Sequence, residues 1–91
     1  MRRLGNGAGE TLLSSQALRV LRVLATTDEF TTISNLCREA NLNHPSAERT
    51  LSRLKRMGMV LEKRVGRSRM FRANYEDERV SLFRRLATSG F

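Results

Sequence analysis

The segment from Leu36 to Arg72 constrains the fold of this chain more than any other part of the sequence. It contains two short helical patterns joined by a tight connector, and the second pattern ends at Gly58. Two strand-like runs rich in arginine then flank Gly66. Glycine ends helices and turns hairpins because it adopts left-handed conformations without a steric penalty. The order of these parts predicts two helices that meet at a tight turn, followed by an antiparallel β-hairpin.

Apolar residues at helical spacing extend this pattern to four helices, with Asn43 or His44 as the cap of the third and Pro45 in its first turn. The helices are expected at residues 11–26, 33–40, 45–57 and 77–90. The two strands are expected at residues 59–65 and 70–75. Residues 1–10 contain three glycines and are expected to form a flexible arm, so residues 11–91 make up the folded domain. The predicted fold class is mostly α, or α+β, with a two-stranded antiparallel wing and a C-terminal helix.

Length and composition favour a small globular domain with an anionic partner. The chain has 91 residues and a net charge of +8, with 17 Lys and Arg against nine Asp and Glu. Arginine dominates the positive charge, and its guanidinium suits paired contacts with phosphate or guanine. The charges cluster in particular elements, which favours nucleic acid as the partner over charge that serves solubility alone.

The same composition argues against several other classes of protein. One cysteine, Cys37, permits no intrachain disulfide, and together with the single histidine, His44, it is too little for a structural zinc site. The chain contains no apolar run of about 20 residues and no signal-peptide core, so we expect a cytoplasmic protein without a membrane partner. We find no arrangement typical of a catalytic triad, a phosphate-binding glycine loop or a paired acid. We therefore expect no enzyme activity and no cofactor.

The helix at 45–57 has a polar face that fits recognition of a base edge. Arg49 has the reach to donate paired hydrogen bonds to guanine, whereas Arg53 and Arg56 suit phosphate. Glu48 suits cytosine or, as we favour, an ion pair with an arginine. The predicted outward face also includes hydroxyls for phosphates or base edges, on Ser46 and Thr50. Taken alone, such a face is also typical of a solvated amphipathic helix, and only the turn before it and the hairpin after it favour binding.

The hairpin concentrates positive charge on a small ribbon. Its five cationic residues are Lys63, Arg64, Arg67, Arg69 and Arg72. Like charges placed this close repel one another unless an anion lies nearby. Arg67 and Arg69 flank the tip, so we expect them to contact phosphate or a minor groove, with an ordinary solvated hairpin as the alternative.

The run LNHPSAERTLSRLKRMGMVLEKRVGRSRMFRANYED resembles the recognition helix and wing of winged helix-turn-helix regulators of the ArsR/MarR-like group. The corresponding features are Leu42, Asn43, Pro45, Ala47, the pair Leu51 and Leu54, Gly58-Met59-Val60, Gly66-Arg67 and Phe71-Arg72. The resemblance implies a homodimer on a pseudo-palindromic DNA duplex. It also implies DNA contacts by His44, Pro45, Ser46, Glu48, Arg49, Arg67 and Arg69. Metal-sensing members have cysteine and histidine ligand sets that this chain lacks, so we expect no metal.

The terminal helices have more apolar positions than a small core with a wing needs. These positions are Leu13, Leu18, Leu21, Val80, Phe83 and Leu86. We expect them to form a dimer interface with the last helix as its main contact, and a monomer that buries all of them is the alternative.

The function predicted from the sequence is sequence-specific binding of double-stranded DNA by a dimeric transcriptional regulator. One alternative is a DNA-coating partition, replication or architectural protein of a plasmid or virus. Another is a winged-helix module that binds protein instead of DNA. RNA is a weaker option because few aromatic residues are available for base stacking.

Overall fold

The structure is a computed structural model that describes residues 14–89. Its elements in chain order are α1 (Ser15–Leu24), β1 (Thr31–Thr32), α2 (Ile33–Ala40), α3 (His44–Arg56), β2 (Val60–Val65), β3 (Ser68–Ala73) and α4 (Glu78–Thr88). The arm predicted at residues 1–10 and the dimer residue Leu13 lie outside the described part. None of the helices within residues 14–89 is long and apolar enough to cross a membrane.

Short polar side chains determine where the helices begin. Ser14 accepts a hydrogen bond from the Ala17 amide at 3.1 Å and caps α1. Thr32 caps α2, Asn43 caps α3 and Asp77 caps α4 in the same manner. Each cap satisfies an amide that has no partner inside its own helix, and replacing one by alanine costs about 1 kcal/mol.

The connection between α2 and α3 is the tight turn expected from the sequence. Asn41 ends α2 in the left-handed conformation, with φ 56°. The Leu42 amide then donates to the Cys37 carbonyl at 3.0 Å, and Asn43 already caps the next helix. Since only residues 41–43 separate the helices, the direction of α3 is set by α2.

The hairpin belongs to a three-stranded antiparallel sheet in the order β1-β3-β2. The predicted wing of two strands is therefore incomplete, because Thr31 and Thr32 pair with Phe71 and Met70 on the far side of β3. A strand of two residues has no periodicity that a sequence pattern can reveal. The hairpin turns at Gly66 and Arg67, where Gly66 has φ 62°, as the first residue of a type II′ turn does.

The core lies between the three N-terminal helices and the sheet. Its largest fully buried side chains are Phe71, Leu21, Leu24, Leu36, Leu51, Leu54, Val20, Val60 and Val80. Burying an aliphatic side chain of this size contributes about 1.5–3 kcal/mol. Leu42 of the turn packs against this cluster and is partly buried.

Two predicted dimer residues, Leu21 and Val80, are corrected by the structure. Both are fully buried within a single chain, so they cannot form a contact surface for a second one. Leu21 lies on the α1 face that packs against α2 and α3, and Val80 attaches α4 to the core. Leu18 and Leu86 remain exposed, at 41% and 47%, and Phe83 is half-buried.

The outward positions predicted for Ser46 and Thr50 are also wrong. They are 8% and 7% exposed, because α1 packs across this side of α3 and widens its buried face beyond Ala47, Leu51 and Leu54.

Candidate nucleic-acid interface

The exposed face of α3 presents three arginines in successive turns. Arg49, Arg53 and Arg56 are all exposed, and their spacings of four and three residues place them along one side of the helix. One guanidinium nitrogen of Arg49, Nη2, lies 3.4 Å from the hydroxyl oxygen of Ser46. His44 and Pro45 are exposed at the start of the same helix. The face therefore combines fixed positive charge with an accessible helix start.

An open groove of about 560 Å³ runs beside this face. The start of α1 forms one wall, and the basic side of α3 forms the other; the lining residues are Ser14, Gln16, Ala17, Glu48, Arg49, Thr50, Ser52, Arg53 and Arg56. Three cationic side chains along one concave wall concentrate positive potential there.

The wing presents exposed positive charge at Arg64 and Arg67. Within residues 14–89 neither side chain, nor that of Arg53 or Arg56, forms a salt bridge. Arg67 occupies the hairpin turn and is exposed. Arg64 was counted in the charge of the hairpin but not predicted as a site residue, and its exposure adds it to the candidate interface.

Two further wing cations, Lys63 and Arg72, have a different environment. Lys63 Nζ lies 4.4 Å from the centre of the Phe30 ring, and the Arg72 guanidinium lies 5.7 Å from it. Cation–π contacts of this kind stabilise a surface by about 0.5–1 kcal/mol. These residues fasten the outer face of the hairpin to the segment before β1.

Arg69, for which a phosphate or minor-groove contact is predicted, pairs with two carboxylates within the chain. Its Nη1 donates to both oxygens of Glu48, at 2.8 and 3.0 Å, and its Nε donates to Glu62 at 2.9 Å. Glu62 accepts a further bond from Lys55 Nζ at 3.0 Å. The ion pair favoured for Glu48 is thus present, and the same contact removes Arg69 from the set of free cations.

The hydrogen bonds from Arg69 and Lys55 lower the pKa of Glu62 to about 2. Partial burial of the carboxyl opposes this shift but does not cancel it. Both carboxylates raise the pKa of Arg69. Glu62 and Arg69 therefore both stay charged at neutral pH.

A second groove, of about 340 Å³, separates the wing from the starts of α2 and α3. Its lining residues are Thr32, Ile33, Ser34, His44, Glu48, Arg67, Ser68 and Arg69. The groove brings together the predicted residues His44, Glu48, Arg67 and Arg69, which lie far apart in the sequence. It contains both the exposed cation at the wing tip and the neutralised one at Arg69.

In the part of the chain that the structure describes, no group of three or more His, Cys, Asp or Glu side chains is arranged to hold a metal ion. Cys37 is a free, half-buried thiol on α2.

The sequence profile of the IclR helix-turn-helix domain matches residues 15–63, which is more than half of the 91 residues. The chain belongs to the IclR helix-turn-helix family. The matched range covers the first three helices of this IclR-type domain, β1 and the first four residues of β2. A search among curated proteins finds no match.

Solved structures similar to this IclR-type domain include a MarR-family transcriptional regulator and a possible ArsR-family regulator. A MarR-family regulator from Silicibacter pomeroyi has a TM-score of 0.67 and 22% identity, over 84% of this chain and 55% of that one. A second similar structure is the homodimeric winged helix-turn-helix DNA-binding domain of Mb0332 from Mycobacterium bovis, a possible ArsR-family regulator. Its TM-score is 0.64 and its sequence identity is 23%, over 94% of this chain and 68% of that one. A variant of ZitR from Lactococcus lactis in complex with DNA has a TM-score of 0.67 and 14% identity, over 86% of this chain and 54% of that one.

These likenesses confirm the predicted winged helix-turn-helix fold. The chain spans just over half the length of the MarR-family protein and of ZitR.

Proposed function

We propose that this IclR-type domain binds double-stranded DNA sequence-specifically as a homodimer and thereby regulates transcription. The observation that supports it best is the set of exposed arginines on one helix and the adjoining wing. They are Arg49, Arg53 and Arg56 of α3 and Arg64 and Arg67 of the hairpin. Neutralising phosphates with such cations releases counterions and supplies affinity for any sequence.

In the proposed complex α3 enters the major groove. Arg49, nearest to the start of the helix, reads a guanine edge, and Arg53 and Arg56 contact phosphates. His44 and Pro45 lie beside the bases or the backbone at the entrance of the groove. Arg64 and Arg67 place the wing on the flanking backbone. Ser46 and Thr50 take no direct part, because they are buried against α1.

The proposed dimer rests on the apolar surface of the terminal helices. Leu82 and Leu86 of α4 are 50% and 47% exposed. Among the described residues of this helix, only Val80 is fully buried. Leu18 of α1 is 41% exposed. Exposed leucines on a terminal helix favour contact with a second copy, as the homodimeric state of the Mb0332 domain also suggests. Two copies related by a two-fold axis would present their α3 helices about 34 Å apart, to successive major grooves.

The test is fluorescence-anisotropy binding to the duplex upstream of the chain's own gene and to a scrambled duplex, each over a salt series. A preference for the upstream duplex, with saturation at two chains per site, supports the proposal. Equal and steeply salt-dependent binding to both would favour a coating or architectural protein, and binding to neither would favour a protein-interaction module.

The dimer is tested separately by light scattering after size exclusion. Leu86→Glu is expected to give a monomer at concentrations where the parent chain is dimeric. Glu76→Gln, an exposed change outside the apolar surface, serves as the control. A parent chain that is monomeric throughout contradicts the dimer.

A further inference from the structure

Arg64 and Arg69 stand directly opposite each other on the antiparallel strands β2 and β3. Cross-strand partners point to the same face of a sheet, and like charges placed opposite each other destabilise the pair. Glu62, two residues before Arg64, points to this face as well and is paired with Phe71. A carboxylate at this place relieves the repulsion between the two guanidinium groups.

Arg69 is bound by acids from two different elements, Glu62 of β2 and Glu48 of α3. With Lys55 on Glu62, two cations and two anions form one continuous cluster of zero net charge. We call these four residues the clasp. The clasp joins α3 to both strands of the wing. Its net charge of zero separates the exposed arginines of α3 from those of the hairpin.

We propose that the clasp determines specificity by holding Arg69 as a positioning residue instead of a phosphate ligand. This inference rests on the proposed DNA binding. A guanidinium that already neutralises carboxylates contributes little counterion release, so general affinity for DNA is lower than the arginine count implies. Glu48 lines the groove between α3 and the wing, where its pairing with Arg69 occupies a cation that would otherwise attract a phosphate in any register. The clasp therefore lowers the affinity for DNA of any sequence and holds the wing at one angle to α3.

A double-mutant cycle on Glu48 and Arg69 tests this role. Glu48→Gln keeps the shape of the side chain and releases Arg69. We expect affinity for a scrambled duplex to increase about threefold to tenfold and the salt slope to steepen by about one. The ratio of the affinities for the upstream and the scrambled duplex should therefore decrease. Arg69→Gln added to Glu48→Gln should remove this gain, whereas Arg69→Gln alone should leave the slope almost unchanged. Glu76→Gln, an exposed acid remote from the wing tip, is the matched control and should leave the slope and the discrimination unaltered.

Circular dichroism of each variant verifies folding before DNA is added. If Arg69→Gln lowers the salt slope by about one in both backgrounds, Arg69 contacts phosphate in the parent chain and the clasp role is overturned, although DNA binding stands. If the parent chain binds neither duplex, the proposed function fails and this inference fails with it. Binding of the parent chain to the two duplexes distinguishes these two outcomes.

Discussion

Arg79 of α4 donates a hydrogen bond to the carbonyl oxygen of Met57, the residue that ends α3, at 2.7 Å. The same guanidinium pairs with Asp77, the cap of α4, also at 2.7 Å. One side chain thus joins the end of the recognition helix to the start of the helix proposed for dimerisation. In the proposed dimer, this contact connects α3 to the helix that meets the second copy.

Replacing Arg79 with alanine should destabilise the domain by about 1 kcal/mol, because the contact is half-exposed and such pairs contribute modestly. Urea denaturation followed by circular dichroism gives the free energy of unfolding. Arg85→Ala, an exposed arginine on the same helix, should change it by less than about 0.5 kcal/mol. Equal effects of the two changes would contradict a specific role for Arg79.

Tyr75 fastens the segment after β3 to the end of α1. Its hydroxyl lies 2.6 Å from the Thr27 carbonyl oxygen and 2.9 Å from that of Leu24, and Arg84 covers its ring at 4.2 Å. Tyr75→Phe removes this hydroxyl donor, although the Leu24 carbonyl oxygen still accepts from the Thr27 amide at 3.4 Å, and should cost about 1–2 kcal/mol in unfolding free energy. A change of less than about 0.3 kcal/mol would show that water replaces the hydroxyl without loss.

Burial raises the pKa of Tyr75 above its ordinary value of 10.0. Since the neutral form is favoured in the folded state, this contribution to stability is complete below pH 10 and is lost as pH rises through the folded pKa. Ultraviolet titration of this single tyrosine should give a midpoint above that of the unfolded chain. A midpoint at or below the unfolded value would contradict the predicted burial effect.

Glu62 should make the domain sensitive to acid. Its pKa is lowered from 4.5 to about 2 by hydrogen bonds from Arg69 and Lys55. The stability due to its charged form is present above pH 4.5 and is lost as pH falls toward 2. Thermal melts at pH 6 and pH 3 should show a smaller acid-induced loss for Glu62→Gln than for the parent chain, with Glu76→Gln as the control. The same loss in all three proteins would place the acid sensitivity elsewhere.

Arg49 and Arg67 should have separable effects on DNA binding. Arg49→Ala should relax discrimination at one base position, at a cost of about 1–3 kcal/mol, because base readout is lost. Arg67→Ala should weaken binding to all sequences alike and flatten the salt slope by about one, because a phosphate contact is lost. Anisotropy titrations against a set of single-base duplex variants measure both effects. Unchanged relative affinities for Arg49→Ala would assign base readout to another residue.

Local signals in the sequence were sufficient for the helix order and the turn. Thr32, Asn41 and Pro45 act over a few residues, through a cap, a left-handed conformation and a fixed φ, so their effects can be predicted without knowledge of distant contacts. The strand β1 was missed because two threonines pair only where β3 offers an open edge. That edge exists only after the hairpin has formed.

For the candidate site, the sequence by itself determined which residues bear charge and that they cluster on one helix and one hairpin. Only the tertiary structure decided which of them are free. Arg67 and Arg69 are two residues apart, yet one is exposed at the turn and the other lies between Glu48 and Glu62. Ser46 and Thr50 are buried on the side of α3 that α1 covers, so their hydroxyls are not on the exposed face. The reason is physical: charge belongs to a residue, but exposure and pairing depend on what the rest of the chain places beside it.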